Sequence, residues 1–491
     1  MTDALPPRPG FAFAKRHGAT LAGWEEGAAR IAHRPGVAPE VFAELRRHCG
    51  VPLRLDGRSA DAYETLLREL YGDGDDARAI AVDMDAAGLG ALSDHLPEPQ
   101  DLLESEDDAP IIRLLNALFT EAIRQNASDI HIEPFESRLA VRFRVDGVLR
   151  EVLAPQKAIA PAVVSRVKVM ARLDIAEKRL PQDGRISLRV AGRPVDVRVS
   201  TIPVGAGGER VVLRLLDKQA GRLDVDALGL PAQLRAQLDG LIHRPHGILL
   251  VTGPTGSGKT TTLYAALQRL NDASRNILTV EDPIEYYLDG IGQTQVNPRV
   301  DMSFARGLRA ILRQDPDVVM IGEIRDLETA QIAIQAALTG HLVLSTLHTN
   351  SAVGAVTRLR DMGVEPFLVS AALLGVLSQR LVRTLDPAQS QAYPPTPAEC
   401  ACFGKPWSAE LRFRRPLPGA ERGAGYRGRT GLYEMLVVDD AFRRGIHEGA
   451  DEVALTALAR QRAPGLVEDG WNKLRAGLTS VEEVLRVTRE E

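Results

Sequence analysis

A glycine-rich turn that runs into a lysine and a threonine is the most chemically loaded stretch of this sequence. Residues 253–260 read Gly-Pro-Thr-Gly-Ser-Gly-Lys-Thr and fit G-x-x-x-x-G-K-[ST] at every position. The glycines let successive backbone N–H groups turn inward around phosphate oxygens, and the start of a helix adds its own positive end. In this pattern Gly253, Pro254, Thr255, Gly256, Ser257, Gly258 and Thr261 form or flank the cradle, Lys259 reaches the outer phosphates, and the Thr260 hydroxyl holds Mg²⁺. A tight turn with an exposed lysine is the alternative, and the context weighs against it. Ile248, Leu249, Leu250 and Val251 read as a buried parallel strand, and residues 260–270 as the helix that follows.

Three further strands end in polar groups. Residues 276–281 (NILTVE) lead into Glu281, Asp282 and Glu285, and residues 317–322 lead into Glu323, Arg325 and Asp326. The carboxyl ends of parallel strands are where such sheets place ligand-binding groups, and a strand ending in an acid positions Mg²⁺ directly or through water. A fourth strand, Leu342 to Leu347, is bracketed by His341 and His348. One acid at a strand end is ordinarily a helix cap, and one histidine is ordinarily structural. Together, downstream of a full phosphate loop, they converge on one nucleotide site.

At 491 residues the chain has room for about three or four domains around these elements. Apolar residues make up 44% and charged residues 25%, an ordinary globular composition, and the net charge of −5 gives no global field for nucleic acid or an anionic membrane. Three cysteines, Cys49, Cys400 and Cys402, cannot build a disulfide framework and imply a reducing compartment. The N-terminus lacks an apolar signal core, so the chain is expected not to be exported. The longest uncharged apolar stretch, 366–377, falls short of the roughly 20 residues that span a bilayer, so membrane attachment is expected only through a partner.

The first 92 residues show short helical patterns, as in Tyr63, Leu66, Leu67 and Leu70, and predict a small α-rich module. Residues 94–108 carry seven acids, two prolines and no lysine or arginine, the signature of a solvated linker. Beyond it, an amphipathic helix from Pro110, strands at Leu139 to Val145 and 195–199, and helical periodicity over 162–173 predict an α+β domain. Its arginines, Arg142, Arg144, Arg185, Arg198 and Arg214, alternate with apolar residues. Each alone reads as a solvated strand face, and several together could converge on phosphate.

The order GPTGSGKTTTLYAAL, ILTVEDPIEY, LRQDPDVVMIGEIRD and TGHLVLSTLHTN resembles the phosphate loop, Asp box, Walker B and His box of the ATPases of type II secretion and type IV pilus assembly. Upstream, EDDAPIIRLLNALFTEAI, ASDIHIEPFE, RFRVDGVLREV and DIAEKRLPQDGRISLRV resemble the type II secretion branch, the GspE family. The resemblance is strong over 100–385, returns at Tyr426 to Leu436 and weakens over the N-terminal module. It implies a multidomain α/β protein with a RecA-like phosphate-loop core on a parallel sheet, an α+β (PAS-like) domain before it and a small N-terminal module. The implied boundaries are a docking module to 93, the linker 94–108, the second domain 109–218, the core 219–385, a metal-type lobe 386–435 and a helical segment 436–491.

By the same resemblance Lys259 and Thr260 hold phosphate and Mg²⁺, Glu281 polarises the attacking water, Glu323 organises the metal and His348 senses the γ-phosphate. Either glutamate could serve as the base, because both stand at the proper sheet edge. Arg198 and Arg214 match positions that close onto the nucleotide like arginine fingers. A hexameric ring, domain closure on ATP and an output to an inner-membrane platform are implied too, with the chain on the cytoplasmic side.

One departure concerns metal. Most family members carry two CxxC pairs before the segment that here reads YRGRTGLYEML, whereas this chain has Asp386 and Gln389 at the first pair, no cysteine at the second, and only a CxC at Cys400 and Cys402. A closed zinc site requires four ligands, so the lobe is expected to hold by packing without zinc. Protein export is the first reading, pilus extension by the same engine the second, and nucleic-acid translocation or a non-hydrolysing nucleotide switch the remaining ones. Aromatics at 4% and the acidic balance argue against nucleic acid, and two candidate catalytic acids argue against a switch.

Overall fold

The computed structural model describes residues 9, 13–14, 17–25, 27–59, 62–63, 66, 109–190, 193–205, 208–217, 224–418 and 425–488. The acidic linker and most of the helical pattern around Leu67 and Leu70 lie outside them. Two compact units form, one of residues 1–125, 130–142 and 151–213, the other of 126–129, 143–150 and 214–491.

The first unit begins with β1 (Ala19–Glu25), β2 (Ala28–His33), α1 (Pro39–Cys49) and β3 (Leu53–Gly57). The strands make a sheet in the order β1-β2-β3, and α1 lays Val41, Leu45 and Cys49 against Ala19, Leu21 and Ile31. Proline in its first turn and Gly50 in the left-handed region set the ends of α1. Among the described residues of this module a three-stranded sheet stands beside the helical segments. Its strands are short and rich in alanine and glycine, so no period of two announces them.

The elements that follow are α2 (Ala109–Arg124), β4 (Ala127–Pro134), β5 (Leu139–Val145), β6 (Val148–Leu153), α3 (Ala160–Ala171), β7 (Gln182–Val190), β8 (Arg193–Pro203) and β9 (Glu209–Asp217). The strands order as β6-β5-β4-β9-β8-β7, with β7 and β8 antiparallel. Under α3 a buried ion pair joins Lys168 to Glu209 at 2.6 Å, and the same ammonium donates to the Glu177 carbonyl at 2.7 Å, tying down the loop after the helix.

The second unit is built on α4 (Ala232–Ile242), β10 (Gly247–Thr252), α5 (Lys259–Leu270), β11 (Ile277–Glu281), β12 (Gly292–Gln295), α6 (Phe304–Ile311), β13 (Val318–Ile321), α7 (Leu327–Leu338), β14 (Leu342–Leu347), α8 (Ala352–Asp361), α9 (Pro366–Ala372) and β15 (Leu373–Leu385). After them come β16 (Ser390–Tyr393), α10 (Pro397–Ala401), β17 (Phe413–Pro416), β18 (Tyr426–Val437), α11 (Asp440–His447), α12 (Glu452–Arg460), α13 (Leu466–Arg475) and α14 (Val481–Thr488). Seven strands order as β12-β11-β13-β14-β10-β15-β18, parallel except that β18 runs antiparallel to β15.

Near-continuous apolar strands signal burial on both faces, and the packing follows that rule. Ile248 and Leu250 of β10 join Val319, Ile321 and Val343 in a cluster under α7, α8 and α11. Their neighbours Leu249 and Val251 join Val318, Met320 and Leu344 in a second cluster against α4 and α5. Because β18 pairs along β15, the core sheet runs past the expected boundary at 385. Within the lobe, Cys400 and Phe403 pack with Phe413, Leu432 and Trp471 in a separate apolar cluster, while Cys402 is exposed. No group of three or more histidine, cysteine or acidic residues stands ready for a metal among the described residues.

Candidate active site

The parallel strands deliver their carboxyl ends to one edge, and the loop between β10 and α5 covers it. Gly253, Gly256 and Gly258 of that loop have φ of 146°, 80° and 89°, a region in which an L side chain is strained. A Cβ at Gly253 would stand 2.4 Å from the Gln379 carbonyl oxygen, so glycine is also the only residue that fits there. The Lys259 ammonium donates to the carbonyls of Gly253 and Pro254 at 2.8 and 3.1 Å, curling back over the loop. Burial pulls its pKa down to about 8, Glu323 works against that shift, and Arg380 adds to it.

Beside the loop, β13 and β14 are laced at their ends. Ser345 and Thr346 donate to the carbonyls of Ile321 and Gly322 at 2.8 and 2.7 Å, which sets the exit of β13 and the position of Glu323. The Glu323 carboxylate pairs with Arg325 and stands 3.5 Å from Nε2 of His348. Burial and the positive Lys259 lower the His348 pKa, so this imidazole is neutral at neutral pH, with Glu323 opposing the shift. The other histidine of the pair, His341, binds the Ala336 carbonyl at 2.9 Å and closes the end of α7. Asp326 caps the start of α7 by accepting from the Thr329 N–H at 2.8 Å.

Glu281 has a different setting. It is 3% exposed, and its carboxylate accepts from the Tyr264 hydroxyl, from Thr279 at 2.6 Å and from Gln293 at 3.0 Å. Burial and the negative Glu281 raise the Tyr264 pKa, so the phenol keeps its proton and remains a donor.

Around these groups lies a cavity of about 1380 Å³, lined by Thr255, Gly256, Gly258, Lys259, Thr260, Thr261, Glu281, Asp282, Glu285, Glu323 and His348 among others. Arg214 lines it too and pairs with Asp129 at 2.9 Å. Arg198 is not among the lining residues and belongs to the first unit, on β8 opposite Arg185. Of the other strand arginines, Arg144 stands 3.7 Å from Asp129 and Arg142 pairs with Glu133, so β4 carries the carboxylates that answer them. Sequence reasoning missed the polar residues that brace the site: Tyr264, Thr279, Gln293, Asn350, Gln379 and Arg380. A signal existed for the last two, since Ser378-Gln379-Arg380 interrupts the apolar run of a strand that is mostly buried.

The donor chemistry fits a nucleotide with a divalent cation. Glycine N–H groups and a lysine suit phosphates. The Thr260 hydroxyl and the Glu323 carboxylate are hard oxygen donors that leave most of a Mg²⁺ shell to phosphate and water.

Comparison with known proteins places the chain. The profile of the family "Type II/IV secretion system protein" matches residues 104–486, and that of an N-terminal domain of "GSPII protein E" matches residues 8–71. The chain is 61% identical to Type II secretion system protein E of Pseudomonas aeruginosa over 492 residues, 99% of this chain and 98% of the relative. It is 58% identical to Type II secretion system ATPase E of Vibrio cholerae, with 98% and 96% covered. Among solved structures it is similar to the pilus retraction motor PilT with bound ADP, at TM-score 0.54 and 29% identity over 77% of this chain and 97% of that one. The Legionella pneumophila ATPase DotB shares the fold at TM-score 0.58 and 24% identity, with 76% and 94% covered. A phosphate loop seated on this sheet and near full-length identity to these relatives lead to one statement: the chain belongs to the type II secretion system protein E family of secretion ATPases.

Proposed function

We propose that this chain is the motor of a type II secretion system, a Mg²⁺-dependent ATPase that works as a hexameric ring on the cytoplasmic face of the inner membrane and reaches a membrane platform through its N-terminal module. The observation that carries the reading is the meeting of Lys259, Thr260, Glu323 and His348 at one sheet edge around a single cavity. No helix of the described residues is long and apolar enough to cross a membrane. The family match over residues 8–71 favours secretion, and the likeness to the pilus retraction motor PilT supports the pilus branch as the alternative.

In this reading the triphosphate draws Lys259 off the Gly253 and Pro254 carbonyls and takes the loop N–H groups. Bound Mg²⁺, held by Thr260 with Glu323, would neutralise phosphate charge. Glu281 and Glu323 are the carboxylates at hand for the attacking water, His348 faces the γ-phosphate side, and Arg198 and Arg214 supply cations as subunits close. Zinc has no part. The test is ATP turnover by the purified chain together with restoration of secretion in a strain lacking its own motor. Lys259→Ala is expected to abolish both while the protein remains folded; full turnover in that variant would overturn the site.

A further inference from the structure

Gln379 is an amide 1% exposed on β15, directly beneath the phosphate loop. Its Nε2 donates to the Ser257 carbonyl at 2.7 Å, and its Oε1 accepts from the Thr262 hydroxyl at 2.8 Å. The orientation of the amide follows from chemistry, because the Ser257 carbonyl can only accept and must face the NH₂ end. A Cβ at Gly258 would lie 3.2 Å from the same nitrogen, so the amide sits hard against the loop.

The consequence lies in the peptide plane between residues 257 and 258. In a trans peptide the C=O of one residue and the N–H of the next point in opposite directions. With its carbonyl anchored on Gln379, this plane must turn the Gly258 N–H away from β15. That N–H has no acceptor among the described residues, and Gly258 itself lines the cavity. The same plane is easily inverted in isolation, since residue 258 is a glycine at φ 89° and pays little for a coupled rotation of its neighbour's ψ and its own φ. Inversion would present an oxygen to an anion in place of a hydrogen.

We propose that Gln379 is a positioning residue that locks the Ser257–Gly258 peptide with its N–H toward the nucleotide phosphates, and that Thr262 fixes the amide so that it can do so. The inference rests on the nucleotide reading above and adds a residue outside the phosphate-binding motif to it. Neither side chain touches the nucleotide; both act through the loop.

The experiment measures binding of a fluorescent ATP analogue and of ADP, steady-state turnover, and thermal melting without nucleotide, on the full chain. Gln379→Met keeps the volume and removes both contacts. ATP and ADP should bind roughly ten- to a hundredfold more weakly, the range expected for losing one hydrogen bond to a charged group, with KM raised far more than kcat is lowered. Thr262→Val frees the amide to rotate and should weaken both nucleotides several-fold, whereas Thr262→Ser, which keeps the donor, should restore them. Should Gln379→Met fail to fold, the Thr262 pair carries the test. Unchanged affinity in folded Gln379→Met, or in Thr262→Val, overturns the lock, as does a uniform loss of kcat and melting temperature with KM intact. A wild-type chain that binds no ATP overturns the nucleotide reading along with it.

Discussion

Lys259 has given up most of its contact with water, which is why its pKa falls to about 8 from 10.5, even though its ammonium holds two carbonyls. Triphosphate restores the preference for the charged form, so binding near pH 9 must draw a proton from solution. Affinity for ATP should fall about tenfold per pH unit above 8, and calorimetry in buffers of different ionisation heat should register proton uptake that disappears in Lys259→Ala. The two acids differ at this scale as well. Glu281→Gln and Glu323→Gln should each cut turnover by orders of magnitude with nucleotide binding retained. Only Glu281→Gln should also lose stability, by about 1–3 kcal/mol in denaturant, because its new NH₂ would face donors from Tyr264, Thr279 and Gln293. Equal stability of the two variants would show that the Glu281 network does not hold. Why the sequence left their roles open is now physical: both acids end strands at the same edge, and most of what distinguishes them, Tyr264 and Gln293 on one and His348 on the other, comes from distant parts of the chain.

At the level of elements, the four parallel strands and the helix after the loop were legible because burial on both faces writes a near-continuous apolar run into each strand. The fourth strand is found at the expected residues, 342–347, and the helix starts one residue early, at Lys259. The N-terminal sheet and the place of β18 were not legible. The first lacks alternation, and the second owes its position to pairing with β15, a partner set by topology and not by local pattern. Alongside that pair, α14 is pinned by Glu483, which is fully buried and accepts from the Arg383 N–H at 2.9 Å and its guanidinium at 2.8 Å, with Arg486 also paired. Burial pushes the Glu483 pKa up, but the hydrogen bonds from Arg486 and Arg383 outweigh it and bring the pKa to about 2 from 4.5. The folded state therefore holds fewer protons than the unfolded one between those values. The stabilisation is complete above pH 4.5 and is lost as the pH falls toward 2, a contribution of about 3 kcal/mol. Arg383→Met should cost about 1–3 kcal/mol at neutral pH, read from chemical denaturation, since it takes one guanidinium from a buried carboxylate that keeps Arg486 and the residue 383 N–H. A smaller loss in Glu483→Gln than in Arg383→Met would agree, and no loss in either would refute the account.

For the whole molecule, the cations decide whether one chain suffices. The loop supplies one lysine, and a further arginine in phosphoryl transfer is worth a factor of about a thousand or more. If Arg198 and Arg214 supply it as neighbouring subunits close, specific activity should climb between nanomolar and micromolar protein, and Arg198→Ala or Arg214→Ala should lower turnover more than ATP affinity. Flat specific activity, with light scattering reporting monomer throughout, would sink this. If the chain works as the proposed motor, it must also survive its own stroke, and β15 bears on that. The strand is 13 residues long, lies between β10 and β18, and is matched to β18 at ten positions. In an antiparallel pair such as β15 and β18 the ladder hydrogen bonds stand perpendicular to the strands they join. Tension along β15 therefore loads its ladder in shear, all rungs at once, whereas a pull across the sheet edge would peel them one by one. The strand that braces the nucleotide loop is thus also one along which force can pass from one end of the sheet to the other with its rungs to β18 loaded together.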